Sequence, residues 1–154
     1  MEILIYVVIL ATFFLTARVS YSSFITRKQV ESVVLKVESF FTKARSLAYA
    51  PHSQTQCVAG SLKEYRVTLD VNAVSLLVIC GSNQVVLDSY TYENNVSAVN
   101  SISVGYKLLG HGLNVTPDFF GDINNYQTVF SKPGGSQGVT LTLLASGEVQ
   151  IASN

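Results

Sequence analysis

Two cysteines are the first residues of this chain whose spacing bears on chemistry. Cys57 and Cys80 form no C-x-x-C pair, and no histidine cluster accompanies them, so the sequence predicts no metal site. If this part of the chain lies outside the cytoplasm, a disulfide between them is the predicted state, and two buried free thiols are the alternative. Closing a loop of about two dozen residues contributes on the order of 3 kcal/mol to stability.

The histidines and the aspartates do not form a recognisable active site. His52 and His111 are isolated, and no serine lies in a G-x-S-x-G turn, so we expect loop histidines and no catalytic residue. The segment Asp118–Asn125 offers oxygen ligands around a glycine but lacks the spacing and closing glutamate of a calcium loop. A turn is predicted there, with a calcium site as the alternative. We therefore predict no enzyme, no metal and no cofactor.

Glu2 stands at the edge of an uncharged apolar run that covers residues 3–17. A carboxylate costs a few kcal/mol when it is drawn unpaired into hydrocarbon, and less when it meets a cation. Two interpretations stay open: a residue that acts in subunit assembly, and an interfacial residue beside a membrane. The run is shorter than the ~20 residues that span a bilayer, but residues 19–25 extend it if Arg18 snorkels, which predicts a single-pass anchor.

One long helix must carry this run. No glycine or proline precedes Pro51, so we predict a helix from about residue 2 to about residue 49, roughly 70 Å long. Residues 1–26 form its hydrophobic part, residues 27–50 are amphipathic, and residues 51–154 form a head. In the amphipathic part, apolar residues recur every three or four positions and are predicted to pack on the head. They are Val30, Val33, Val34, Val37, Phe40, Phe41, Ala44 and Leu47.

The head has the pattern of β-strands. Residues 65–70, 74–80 and 84–92 predict an antiparallel meander, residues 97–109 predict one further strand, and residues 126–131, 138–145 and 148–153 predict up to three more. The fold class is therefore α+β, with the long helix packed on an antiparallel sheet. We expect the tyrosines of these strands to pack across strands, and an outward adhesive surface is the alternative. These tyrosines are Tyr90, Tyr92, Tyr106 and Tyr126.

Composition excludes two broad classes. Hydrophobic residues make up 48% of the 154 residues and charged residues 13%, which argues against a disordered chain. The formal net charge is zero, so there is no electrostatic reason to expect nucleic acid as a partner.

Both ends of the chain resemble type IV pilins and type II secretion pseudopilins. The stretch EILIYVVIL (2–10) is similar to the start of that family's helix at its glutamate, and ARSLA (44–48) to the helix end of H-type pseudopilins. The segments TVFS (128–131), PGG (133–135), GVTL (138–141) and SGEV (146–149) are similar to the last strands of that subfamily. Only Met1 precedes Glu2, where the family has a cleavage site after a glycine. We therefore expect either further sequence upstream or a different cut.

The resemblance implies a pilin fold and a structural role in an extracellular filament that serves adhesion, motility or DNA uptake. It implies that Glu2 meets the terminal amine of a neighbouring subunit. The implied partners are copies of the chain, inner-membrane lipid before assembly, and pilus assembly machinery with a prepilin peptidase. The protein would lie in the cell membrane first and in the filament later. The residues expected to pack between helices in the filament core are Tyr6, Leu10, Phe13, Phe14 and Leu15.

Two alternatives to a main filament subunit remain open. One is a minor pseudopilin of a type II secretion or competence machine. The other is a membrane-tethered binding domain that does not polymerise.

Overall fold

The computed structural model describes residues 2–50, 57, 62–108, 113–116, 125–133, 138–144 and 146–153. The predicted α+β class, with a long N-terminal helix and antiparallel sheets, is confirmed. The elements in chain order are α1 (Glu2–Tyr49), β1 (Leu62–Leu69), β2 (Ala73–Cys80), β3 (Asn83–Thr91), β4 (Ser97–Ala98), β5 (Ile102–Lys107), β6 (Leu113–Thr116), β7 (Asn125–Ser131), β8 (Gly138–Leu144) and β9 (Val149–Ser153).

Helix α1 runs for 48 residues because nothing within its sequence stops it. Its last turn is closed by Ala50 N, which donates to Ser46 O at 3.0 Å. Pro51 follows in the sequence, and the residue before a proline disfavours helical backbone angles. The helix therefore ends where the first proline of the chain requires it to end.

Five strands form one antiparallel sheet in the order β3-β2-β1-β5-β6. The predicted meander of the first three strands is confirmed, and Gly81 takes a φ of 63° in the tight turn between β2 and β3. At the centre of the sheet, Val67 of β1 lies between Leu76 of β2 and Val104 of β5. Residues that are directly opposite on neighbouring strands point to the same face of the sheet, so these three side chains share one face.

The segment 97–109, which was predicted as one strand, is divided between two sheets. β4 pairs with β7 in a second antiparallel sheet of order β4-β7-β8-β9, whereas β5 pairs with β1 in the first sheet. Between them, Val99 N donates to Val129 O at 3.0 Å. A continuous alternation of apolar residues does not reveal that its two halves pair with different strands, so the single-strand prediction was wrong. The short strand β6 was not predicted.

The core lies where α1 packs against strands of both sheets. The five-stranded sheet contributes Tyr65, Val67, Leu76 and Val104, all of them buried, and the second sheet contributes Phe130 and Leu141. The faces of two sheets and one side of the helix thus share a single apolar cluster.

Cys57 and Cys80 form a disulfide, as predicted, with their Cα atoms 5.5 Å apart. The bond ties the chain that follows α1 to the last residue of β2. With a sequence separation of 23 residues, the chain-entropy model gives a stabilisation of about 3 kcal/mol.

Candidate assembly surface

The N-terminal half of α1 presents large apolar side chains on every side. We call residues 5–25 of α1 the arm and residues 27–49 the stalk. From Ile5 to Leu10, six consecutive side chains are each 48–67% exposed. Because successive residues turn by about 100° around a helix, six in a row cover its whole circumference. Farther along the arm, Phe13 and Phe14 are 72% and 74% exposed.

Among the described side chains of α1, burial against the head begins in the stalk. Val30 is the first fully buried helix residue among those described. Just before it, two polar contacts join the helix to the head: Arg27 Nη2 donates to Ser153 Oγ at 2.7 Å, and Lys132 Nζ donates to Gln29 Oε1 at 3.2 Å. These contacts mark the junction at which the arm leaves the protein's own core.

The structure describes some of the side chains predicted to act in assembly and not others. Tyr6, Leu10, Phe13 and Phe14 are exposed arm residues. The side chains of Glu2 and Leu15 lie outside the described residues. Among the described residues, no helix combines enough length with enough apolar character to cross a membrane.

The predicted packing residues of the stalk lie against the head. Their burial follows from the three- and four-residue spacing, which puts all of them on one side of the helix. Leu47 is partly buried against the core, and the other seven are buried. The buried ones are Val30, Val33, Val34, Val37, Phe40, Phe41 and Ala44.

The opposite side of the stalk is polar and carries ion pairs. Lys28 Nζ lies 2.6 Å from Glu31 Oε2, and hydrogen bonds from Lys28 and Arg27 lower the pKa of the Glu31 carboxyl. Lys43 Nζ lies 2.7 Å from Asp88 Oδ2, and this bond lowers the pKa of the Asp88 carboxyl. In the middle of this side, Leu35 is 58% exposed. The stalk therefore has an uncovered face as well as the buried one.

An ion pair on the outer face of the five-stranded sheet was not found from the sequence. Glu64 is only 6% exposed and accepts a hydrogen bond from Arg66 Nε at 2.9 Å, with Arg66 Nη2 also on the same carboxylate oxygen. Gly105 lies under this carboxylate, and a Cβ atom at that position would be 2.7 Å from Glu64 Cδ. The sequence did offer one signal for this ion pair: Glu64 and Arg66 have opposite charges and lie two residues apart, which puts them on the same face of a strand.

The head tyrosines act mainly as packing residues. Tyr92 Oη donates to Ala73 O at 2.9 Å, and Tyr106 Oη donates to Gly147 O at 3.1 Å, a contact from the first sheet to the turn before β9. Burial raises the pKa of both phenols. Tyr90 and Tyr126 are partly buried against the same core. The interpretation as cross-strand packing therefore fits these tyrosines better than an adhesive surface does.

Nothing in the described part of the chain gathers three or more metal-binding side chains of the His, Cys, Asp and Glu types. His52, His111 and the side chains of the segment 118–125 lie outside the described residues. The calcium alternative therefore stays a prediction.

No protein-family model, curated protein or solved structure matches this chain. The resemblance to pilins thus rests on the residues quoted in the sequence and stays a prediction.

Proposed function

We propose that this protein is a non-catalytic structural subunit of an extracellular filament of the type IV pilin kind, and that it assembles through its arm. The observation that carries the proposal is the exposure of Ile5–Leu10 around the entire helix. Large apolar side chains gain about 1.5–3 kcal/mol each on full burial, so the arm has a strong tendency to be covered. In the part of the chain that the structure describes, the protein's own head covers one side of the stalk and leaves Ile5–Leu10 exposed.

Copies of the same chain are the covering that fits best. One neighbour covers one side of a helix, so an arm that is apolar all round requires several neighbours. When the contacting surfaces of two copies differ, the contact does not close and repeats as a filament. Before assembly, lipid of the inner membrane would cover the arm, and a pilus assembly machine with a prepilin peptidase would act on the chain. Glu2 would meet the terminal amine of a neighbour in the assembled filament.

The architecture supports the same proposal. A long helix whose second half packs on antiparallel strands is the layout expected of the pilin fold, and the head is joined to it by the packing of Val37 and Phe41. The disulfide between Cys57 and Cys80 suits an extracellular location, where such bonds persist.

Shearing of cells that express the chain tests this function. We expect sheared material to contain filaments labelled by an antibody against the head. Phe13→Asp introduces a charge into the arm and should abolish these filaments, whereas Val86→Asp is a matched control on an exposed valine of the head and should leave them intact. Glu2→Ala should reduce filament yield with the head still folded. Sheared material without this chain, or filaments of normal yield from Phe13→Asp, would refute the proposal.

A further inference from the structure

The uncovered face of the stalk has a regular pattern of its own. Its central residues follow one another at spacings of three and four, and all of them are exposed. We call this set the outer seam. It lies on the side of the helix opposite Val30, Val37 and Ala44, which are fully buried in the head. The outer seam consists of Ser32, Leu35, Ser39, Thr42, Ser46 and Tyr49.

Charges of opposite sign flank the outer seam. Glu31 and Glu38 lie along one flank, and Lys36 and Lys43 lie along the other. These side chains and the seam residues from Ser32 to Ser46 line two adjoining shallow depressions on the open surface of the helix, which share Leu35 and Ser39. In a coiled coil, two helices pair through apolar residues at spacings of three and four, with charged residues on the flanks; the outer seam has this spacing and these flanks.

The order of the charges selects one partner and one orientation. In a parallel, in-register pair, a flank residue contacts the partner's residue five positions later on the opposite flank. Glu31 would then face Lys36 of the second copy, and Glu38 would face Lys43 of the second copy. With both copies counted, this orientation makes four attractive contacts.

The antiparallel register centred on Ser39 brings like charges together on the same residues. Pairing about Ser39 would put Glu38 against Glu38 of the second copy and Lys36 against Lys43. We infer that the outer seam is a self-association surface, on which two copies of this chain pair through their stalks in parallel and in register. The inference goes beyond the proposed function because a parallel pair requires no filament.

The seam continues into the arm, which supplies the apolar contacts that the stalk lacks. Only Leu35 and Tyr49 are large apolar residues within the outer seam itself. The same three- and four-residue spacing leads back through Lys28 to Ile25 and Tyr21, and then through Arg18 to Phe14. Ile25, Tyr21 and Phe14 are exposed. In the stalk, the seam's serines allow close approach of two helices, and the flanking charges set the register.

Lys28 stands at the position between Ile25 and Ser32, where a charge would oppose pairing. It is drawn to the acidic flank by its bond to Glu31, at 2.6 Å, and its ammonium lies 5.9 Å from the centre of the Phe24 ring. Lys43 is also held away from the centre of the seam, because it bonds to Asp88 of the same copy. In the proposed pair it would contact Glu38 of the second copy as well. Among the described side chains, the charges that face the seam are thus held at its flanks. Arg18 occupies the seam position between Tyr21 and Phe14, and its side chain lies outside the described residues.

Cysteine cross-linking of the full chain in a non-ionic detergent tests the orientation. Each variant carries one added cysteine, and Cys57 and Cys80 stay in their disulfide. In a parallel pair, Ser32→Cys and Ser46→Cys each cross-link to themselves under mild oxidation. In an antiparallel pair, only a mixture of the two variants forms cross-links. Ser89→Cys, on the exposed side of β3, is the control for random collisions.

A charge exchange tests the partner contacts. We use an Asp88→Ala background so that every variant lacks the internal bond of Lys43. In that background, Glu38→Lys and Lys43→Glu should each weaken dimerisation about tenfold, because two attractive contacts become repulsive ones. The double variant should restore most of the affinity. Sedimentation in density-matched detergent measures each dissociation constant.

Two results would overturn the inference. One is cross-linking of Ser32→Cys and Ser46→Cys at no more than the rate of Ser89→Cys. The other is a charge-exchanged double variant as weak as the single ones. The outcome is separable from that of the proposed function, since dimers that cross-link normally without any sheared filament would remove the filament and leave the dimer.

Discussion

Gly105 lies beneath the buried carboxylate of Glu64, and its replacement by alanine tests how firmly that carboxylate is held. The backbone of Gly105 belongs to strand β5 and does not lie in the left-handed region, so alanine fits its main chain. The added methyl carbon would, however, lie 2.7 Å from Glu64 Cδ and Oε2 and 2.8 Å from Oε1. The carboxylate must move, and its bonds to Arg66 must change with it.

The expected loss of stability follows from the hydrogen bonds between Glu64 and Arg66 that this movement disturbs. A hydrogen bond to a charged group is worth about 1.5–3 kcal/mol, and inserting a methyl group into a filled site costs about 1–3 kcal/mol. We therefore expect Gly105→Ala to lower the free energy of unfolding by about 2 kcal/mol. With Glu64→Ala already present, the three atoms nearest to the added methyl group are gone. The same substitution should then change stability by about 0.5 kcal/mol or less, or even raise it, because alanine restricts the unfolded chain.

The cycle of four proteins is measured on the full chain in non-ionic detergent. Guanidinium unfolding is followed by near-ultraviolet circular dichroism, which reports on the eight tyrosines because the chain has no tryptophan. Ser103→Ala, on the same face of β5 two residues earlier, is the control for a small change on this strand, and it removes one 3.4 Å contact with Thr68 Oγ1. If Gly105→Ala costs the same with Glu64 and with alanine at position 64, the contact with the carboxylate is not the reason for the glycine.

Three further substitutions test the stalk. Phe41→Ala should lower the free energy of unfolding by about 3–5 kcal/mol because Phe41 is fully buried. At protein concentrations where the chain is monomeric, Leu35→Ala on the exposed face should change it by about 0.5 kcal/mol or less in the same denaturation assay. Equal effects would contradict the assigned faces. Lys43→Gln should raise the pKa of Asp88 toward its ordinary value of 3.8, as measured by NMR titration. Since the Asp88 pKa is lowered in the folded protein, its contribution to stability is present above that value and is lost as the pH falls through the folded-state pKa. Identical titration of Asp88 in both proteins would show that Lys43 does not bind it in solution.

Local patterns in the sequence determined much of this protein. The absence of glycine and proline before Pro51 set the length of α1, and the spacing of Val30, Val33 and Val37 set the side that packs on the head. The meander from β1 to β3 followed from alternating residues and short turns. The pairing of Cys57 with Cys80 followed from there being only two cysteines. In each case the controlling interactions lie within one element or between neighbouring ones.

Tertiary structure decided the rest, because these features depend on which strands become neighbours. From the sequence alone, one strand is predicted across Ser97–Ala98 and Ile102–Lys107. In the structure the first segment pairs with β7 and the second with β1, so they belong to two sheets. From the sequence alone, Glu64 and Arg66 are expected to be surface charges. In the structure, β5 places Gly105 beneath the Glu64 carboxylate. The face of the stalk around Leu35 also became a distinct surface only when the head covered the opposite side. The spacing of residues in the sequence identifies which residues share one face of a helix, but only tertiary packing determines which face is left uncovered.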